Sequence, residues 1–237
     1  MSLTSEAVHQ MYDDLREDSS NGVAQVGRFL VVLDVDSTLI ENEVIEMLAE
    51  AAGSLAEVAE ITERAMCGEL DFEQSLRSRV ATLRGLPVAS FVDIASGIRL
   101  TEGAQEMIDV LHANDSVVGV VSGGFHELID DLAERIGLDF WRANRLGAED
   151  GLLTGGICGP VIDAGAKAAA LSEWAADRGI PLSRTVAVGD GANDIEMMAT
   201  AALSVAFDAR PLVRQTANLA IGTRDLRQVL PLLGLRG

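Results

Sequence analysis

Phe29-Leu-Val-Val-Leu-Asp-Val-Asp-Ser-Thr38 is the stretch on which the fold turns: five apolar residues run without alternation into Asp34 and Asp36. Such a run predicts a strand covered on both faces, as in the middle of a parallel sheet, and not a half-wet antiparallel edge. The acids then fall where the strand stops, and open α/β sheets bind ligands outside the carboxyl ends of their strands. Burying carboxylates without a partner is costly. A divalent cation offsets that cost, and a carboxylate beside one can attack phosphorus. Turn and helix-cap roles also suit Asp34, Asp36, Ser37 and Thr38, so the rest of the chain has to decide.

A length of 237 residues and 25.0 kDa suits one large α/β domain with a modest insertion. Aromatics are only 4% against 48% hydrophobic residues, which predicts a core of Val, Leu, Ile and Ala. Acids outnumber Lys and Arg by 37 to 18, for a formal charge of -19. That balance repels phosphate backbones and anionic membranes, so neither nucleic acid nor a membrane is an expected partner. An anionic substrate would have to be met by a few placed cations and a metal. Cys67 and Cys158 form no short metal-binding pair, His9, His112 and His126 lack zinc-site spacing, and both cysteines are read as reduced thiols. No basic segment precedes an apolar signal core and no run of about 18 apolar residues occurs, so the cytoplasm is the expected location.

Residues 1–27 read as an N-terminal extension, in which Val8, Met11, Tyr12 and Leu15 have the spacing of a short amphipathic helix, with a frayed tail as the alternative. The extension is shorter than a usual domain, so control through an added regulatory domain is not expected. Residues 42–97 hold four helical patterns and no convincing strand: Asn42 as cap before Val44, Ile45, Leu48 and Ala52; then Leu55 to Ala65; Phe72 to Leu83; and Val88 to Ala95. Strands and helices alternate on either side. The economical assignment is a Rossmann-like parallel-sheet core, residues 28–41 and 98–237, with a helical cap at 42–97 inserted after the first strand. Its joints, near Ile40 and Leu100, put the cap over the two acids as a lid.

The strand-then-polar-turn grammar repeats. A helix is expected from Thr101 to His112, then a strand Val117–Val121 ending in Ser122-Gly123-Gly124, where small residues let backbone N–H groups reach a phosphate. A hairpin turns at Asp150-Gly151, and Gly155-Gly156 favours a bend or a close backbone approach. Lys167 begins a helix, against the usual charge preference, which favours an anion nearby; a solvated first-turn lysine is the alternative. Thr185-Val-Ala-Val-Gly189 leads into Asp190-Gly-Ala-Asn193-Asp194, so Asp190 repeats the position of Asp34. Caps explain these features one at a time, whereas one metal-assisted phosphoryl site uses the whole set, and oxygen ligands from separate strand ends suit Mg²⁺.

From Phe29 onward the chain resembles the phosphoserine phosphatase family of the haloacid dehalogenase superfamily. Asp34-Val-Asp36-Ser37-Thr38, Ser122-Gly123-Gly124, Lys167 and Gly189-Asp190-Gly191-Ala192-Asn193-Asp194 match the four family motifs in order. The resemblance implies Asp34 as nucleophile, Asp36 as general acid and base, and Lys167 as the catalytic cation. Mg²⁺ would be held by Asp34, the Asp36 backbone carbonyl and Asp190, with Asn193 and Asp194 supporting metal and phosphate. In the cap, Glu43, Met66, Phe72 and Arg79 match positions that recognise phosphoserine in relatives: Glu43 would face the ammonium, Arg79 the carboxylate, and Met66 and Phe72 the dry side. Ser122, Gly123, Lys167 and Asn193 complete the implied substrate contacts. The implied reaction is hydrolysis of O-phospho-L-serine, the last step of serine biosynthesis. A phosphatase or phosphotransferase for another small phosphomonoester, and a non-catalytic phosphate-ligand sensor, are the competing readings. A homodimer is compatible with the sequence, as is a monomer.

Overall fold

Leu30–Leu33 forms β1, the middle strand of a seven-stranded sheet in a computed structural model that describes residues 27–236. The amphipathic pattern between Val8 and Leu15 lies outside the described residues. β1 pairs in parallel with β2 (Val117–Phe125) on one side and β5 (Thr185–Gly189) on the other; Leu33 stands level with Val120 and Val188. The full order is β4-β3-β2-β1-β5-β6-β7, with β3 Phe140–Glu149, β4 Leu152–Cys158, β6 Leu203–Phe207 and β7 Leu219–Ile221. Every pairing is parallel except that of β3 with β4, the hairpin turning at Asp150-Gly151.

The unbroken apolar run of β1 follows from this place. Leu30 and Val32 enter a core with Leu171 and Trp174, while Val31 and Leu33 enter another with Met107, Ile108, Leu128 and Leu132. Successive strand side chains point to opposite faces, so a strand clad on both sides needs an apolar residue at every position.

Between β1 and β2 come α1 (Val44–Ala52), α2 (Leu55–Met66), α3 (Phe72–Ala81), α4 (Phe91–Ser96) and α5 (Ala104–Ala113). Ile40 and Leu100 pair in an antiparallel bridge, which brings together the two ends of the segment carrying α1 to α4. The β3–β4 hairpin reaches the same segment through Gly85 N–H to the Leu153 carbonyl and Leu153 N–H to the Leu86 carbonyl, 2.8 and 2.9 Å. Gly155, at φ +75°, passes so close to α3 that a Cβ there would lie 3.1 Å from the Ala81 carbonyl oxygen, and only glycine suits both demands. Among the described residues no helix is long and apolar enough to cross a membrane, and Cys67 and Cys158 are exposed and unbridged.

Several local expectations are corrected. Asn42 does not cap α1; its side chain accepts from Arg99 N–H at 2.8 Å, and the residue before the helix is Glu43. Ser122-Gly123-Gly124 is not a turn after the strand but part of β2, which runs to Phe125 before α6 (His126–Ile136). The helix expected from Thr101 starts at Ala104, after Gly103 with φ +75°. Lys167 lies one turn inside α7 (Ala164–Asp177), whose cap is Asp163, and its burial removes the solvated reading.

Candidate active site

The chain leaves β1 through a tight turn. Asp34 N–H extends the ladder to the Val188 carbonyl at 2.9 Å, and the turn closes with Leu39 N–H to the Asp34 carbonyl and Ile40 N–H to the Val35 carbonyl. Inside it Ser37 takes the left-handed conformation, φ +57°, a small strain for a non-glycine residue. Its hydroxyl donates to Glu43 Oε1 at 2.6 Å. One Asp36 oxygen accepts from Val44 N–H at 2.9 Å, so Asp36 satisfies the first orphan donor of α1 where Glu43 does not. That bond ties the second acid of the turn to the first helix of the inserted segment.

Lys167 is wholly buried, with its Nζ 2.8 Å from Asp34 Oδ1 and 2.7 Å from Asp194 Oδ1. Burial alone would push this ammonium down; Asp194 and Asp34 outweigh it and hold Lys167 above its ordinary value. Asp194 also accepts from Gly191 N–H at 3.0 Å, and its side chain packs so tightly on Gly189 that any Cβ there would collide with it. Asp190, at the end of β5, is half-buried and accepts from the Thr38 hydroxyl at 3.1 Å.

Five acids converge on this point. Burial first, then Asp194 and Asp36, raise Asp34 well above the usual carboxylate range against the pull of Lys167. Asp36 is pushed up to about 7 by burial and by Glu43, and Asp190 to about 6 by burial and by Asp194. Oxygens of Asp34, Asp190 and Asp194 lie within 4.8 Å of one another. One ammonium cannot neutralise this set. An all-oxygen cluster with uncompensated charge fits a hard divalent cation.

Asp34, Asp36 and Asp190 open onto a cavity of about 390 Å³, lined further by Glu43, Met66, Phe72, Arg79, Gly123 and Asn193. The structure thus gathers Glu43, Met66, Phe72 and Arg79, all four singled out in the sequence, around the same space as the aspartates. Met66 is 66% exposed, so its helical spacing is not a core signal. Phe72 lies against Gly123, where a Cβ would come 3.2 Å from its ring. Burial pulls the Arg79 guanidinium down, and Glu43, Asp36 and Glu46 pull against it. Ser122 and Lys167 are not in the lining: the Ser122 hydroxyl, fully buried, accepts from Gly124 N–H at 2.7 Å behind the wall.

Sequence reasoning missed three residues here. Asn144 on β3, 1% exposed, donates to the Gly123 and Gly124 carbonyls at 2.9 and 3.3 Å and accepts from Ile162 N–H at 2.9 Å. Thr38, treated only as a motif letter, orients Asp190. Arg210, after β6, lines the cavity. Strand parity could have flagged Asn144 as a polar side chain facing inward.

Residues 31–199 match the family profile of haloacid dehalogenase-like hydrolases. A phosphoserine phosphatase of Streptococcus thermophilus is 50% identical over 204 residues, which is 86% of this chain and 95% of that protein. One of Streptomyces coelicolor is also 50% identical, over 214 residues covering 90% of this chain and 52% of that protein, so the chain spans about half the length of that relative. Among solved structures, a substrate-bound phosphoserine phosphatase complex superposes with a TM-score of 0.82 at 44% identity, covering 89% of this chain and 99% of the other. A phospho-aspartyl intermediate analogue of phosphoserine phosphatase gives 0.82 at 45% identity, with 88% and 99% covered.

Proposed function

Because the chain belongs to the haloacid dehalogenase-like hydrolase family, we propose that it hydrolyses O-phospho-L-serine to L-serine and phosphate through a phosphoryl group carried on Asp34. The observation that carries this reading is a single cavity lined by Asp34 and Asp36 together with Glu43 and Arg79. A carboxylate can match the substrate ammonium, and a guanidinium can hold its carboxylate bidentately. The streptococcal and streptomycete relatives are phosphoserine phosphatases, which points to the same substrate.

The Lys167 and Val35 N–H contacts both fall on Asp34 Oδ1, which leaves Oδ2 for phosphorus. As the bond from that oxygen to phosphorus forms, the bond to the serine oxygen breaks. Asp36, protonated to a useful extent because it sits at about 7, gives its proton to the leaving oxygen. It then takes a proton from the water that attacks phosphorus and frees Asp34. Lys167 holds Asp34 in place, and Asp194 holds Lys167. Gly123 lies on a strand end kept in position by Asn144 and lines the cavity, where its N–H would donate to a phosphoryl oxygen. A divalent cation, with Mg²⁺ the proposed ion, would be held by Asp34, the Asp36 carbonyl and Asp190 and would neutralise charge on the phosphoryl group. Asp194 is assigned to support, since both its oxygens already have partners.

In this reading residues 42–97 act as a cap domain over a catalytic core of residues 28–41 and 98–237, and they exclude water during transfer. A cytoplasmic enzyme of amino-acid biosynthesis is part of the same proposal. Phosphate release is to be measured on L-phosphoserine, phosphoethanolamine and a phosphorylated hydroxyacid, with Mg²⁺ and with a chelator. L-Phosphoserine should be preferred, and turnover should stop in chelator and return with Mg²⁺. Undiminished turnover in metal-free protein would remove the metal assignment; equal turnover of all three compounds would remove the substrate assignment.

A further inference from the structure

Arg210 has no part in the reading above, yet it lines the same cavity beside Gly191, Ala192 and Asn193. That cavity is dominated by acids: Asp34, Asp36, Glu43, Asp71 and Asp190 all line it, and Arg79 and Arg210 are the only cations among its lining residues. Lys167 stands behind the wall with its charge already shared between Asp34 and Asp194. The two lining arginines come from different parts of the fold. Arg79 belongs to α3 of the inserted segment, whereas Arg210 follows β6 and donates its backbone N–H to the Asp190 carbonyl at 3.2 Å. Pro211 follows at the first position of the helix Pro211–Thr216, so the backbone on either side of the Arg210 side chain is restrained.

Arg77, Arg99, Arg142 and Arg227 each pair with a carboxylate. Arg210 is exposed and has no carboxylate partner among the described residues, although it stands in the most acidic region of the site. A chain with formal charge -19 repels a dianion at long range, and an unpaired guanidinium at the cavity mouth offsets that locally. We propose that Arg210 is a binding residue for the phosphate group of the incoming substrate, capturing it on the core side while Arg79 takes the carboxylate on the cap side. A phosphorylated amino acid has two anionic ends, and the cavity offers one cation to each. This deepens the phosphatase reading and rests on it for the identity of the substrate, not for the anion.

Inorganic phosphate is therefore the first probe, titrated calorimetrically into Mg²⁺-loaded wild type, Arg210→Gln and Arg210→Lys. kcat and KM for L-phosphoserine are measured on the same proteins at low ionic strength and in about 0.5 M salt. Arg210→Gln should weaken phosphate binding and lower kcat/KM, each by about five- to tenfold, with the loss in KM and not in kcat. Arg210→Lys should recover most of it, and the gap should narrow in salt. Unchanged phosphate affinity and kcat/KM in Arg210→Gln would overturn the proposal. So would a loss confined to kcat with phosphate binding intact, which would mark Arg210 as a support for the Asp190 loop. Arg210-dependent phosphate binding in a protein that leaves phosphoserine intact would remove the substrate reading and sustain this one.

Discussion

Asp34→Asn should abolish the chemistry and, in metal-free protein, raise stability. Asp34 is 5% exposed and stands among more acids than cations. Burial, Asp194 and Asp36 raise its pKa and Lys167 only partly opposes them, so the ionised group destabilises the fold on balance at neutral pH. The sign follows from linkage. An acid whose folded-state pKa exceeds its unfolded value, about 3.9, binds its proton more tightly when folded, and stability is lost as pH rises from the lower value through the higher. The amide keeps the size of the side chain and can still accept from Val35 N–H and Lys167, while Lys167 keeps Asp194 as a counter-charge at 2.7 Å.

The magnitude comes from the spacing. Two like charges with oxygens 4.8 Å apart, the outer limit within the Asp34, Asp190 and Asp194 set, repel by about 3.5 kcal/mol at an effective dielectric of about 20. Asp190 and Asp194 together repel Asp34 by about 7 kcal/mol, the ion pair with Lys167 at 2.8 Å returns about 6 kcal/mol by the same expression, and burial adds to the unfavourable side. A net stabilisation of about 1–3 kcal/mol remains, and each kcal/mol is about 2–4 °C in Tm for a chain of this size. Thermal and urea melts of both proteins in chelator, at acid and at slightly alkaline pH, should show the variant ahead and the gap widening as pH rises. Added Mg²⁺ should stabilise wild type more than the variant by mass action. Rapid-quench labelling with radioactive substrate should find no phosphoenzyme in the variant. A variant less stable than wild type in chelator at neutral pH would show that the lysine pair outweighs burial, and the account of an over-acidic site would fail.

Glu43→Gln removes a group that raises Asp36, so the basic limb of the kcat/KM profile, set by Asp36 near 7, should move to lower pH; an unmoved limb would detach Asp36 from the acid role. Arg79→Ala should lower kcat/KM for L-phosphoserine by about 2–3 kcal/mol and hardly touch phosphoethanolamine, which has no carboxylate; equal losses would make Arg79 an organiser of the cap. Asn144→Leu leaves the Gly123 and Gly124 carbonyls and Ile162 N–H without their partner, and urea titration should report a stability loss of about 1–3 kcal/mol.

What could be read in the sequence was local grammar. Phe29 to Leu33 has no alternation because β1 is covered on both faces, and the acids that end it and end β5 stand where side chains must leave a sheet. The helical character of 44–96 was legible because its apolar spacing needs only neighbours in sequence. The partners were not legible. Nothing near Lys167 says that its ammonium lies between Asp34 and Asp194, and nothing near Asn144 says that its amide bridges the ends of β2 and the segment before α7. Strand ends were misplaced for the same reason: Ser122-Gly123-Gly124 has turn composition, but Asn144 fixes its carbonyls from a neighbouring strand and keeps it extended.

The hidden contacts also explain why caps cannot account for the motif acids. An aspartate serving only as a cap would remain at the solvent edge, with little reason for its pKa to rise. Asp34 and Asp194 are instead buried on one shared ammonium, and Asp36 and Asp190 are raised by the acids around them. A fold stabilised for its own sake would have exchanged one of these carboxylates for an amide. Keeping all of them makes sense if the missing positive charge arrives from outside, as a cation on the acid cluster, and if the substrate's anionic ends are met by the two arginines that the acids leave facing the cavity.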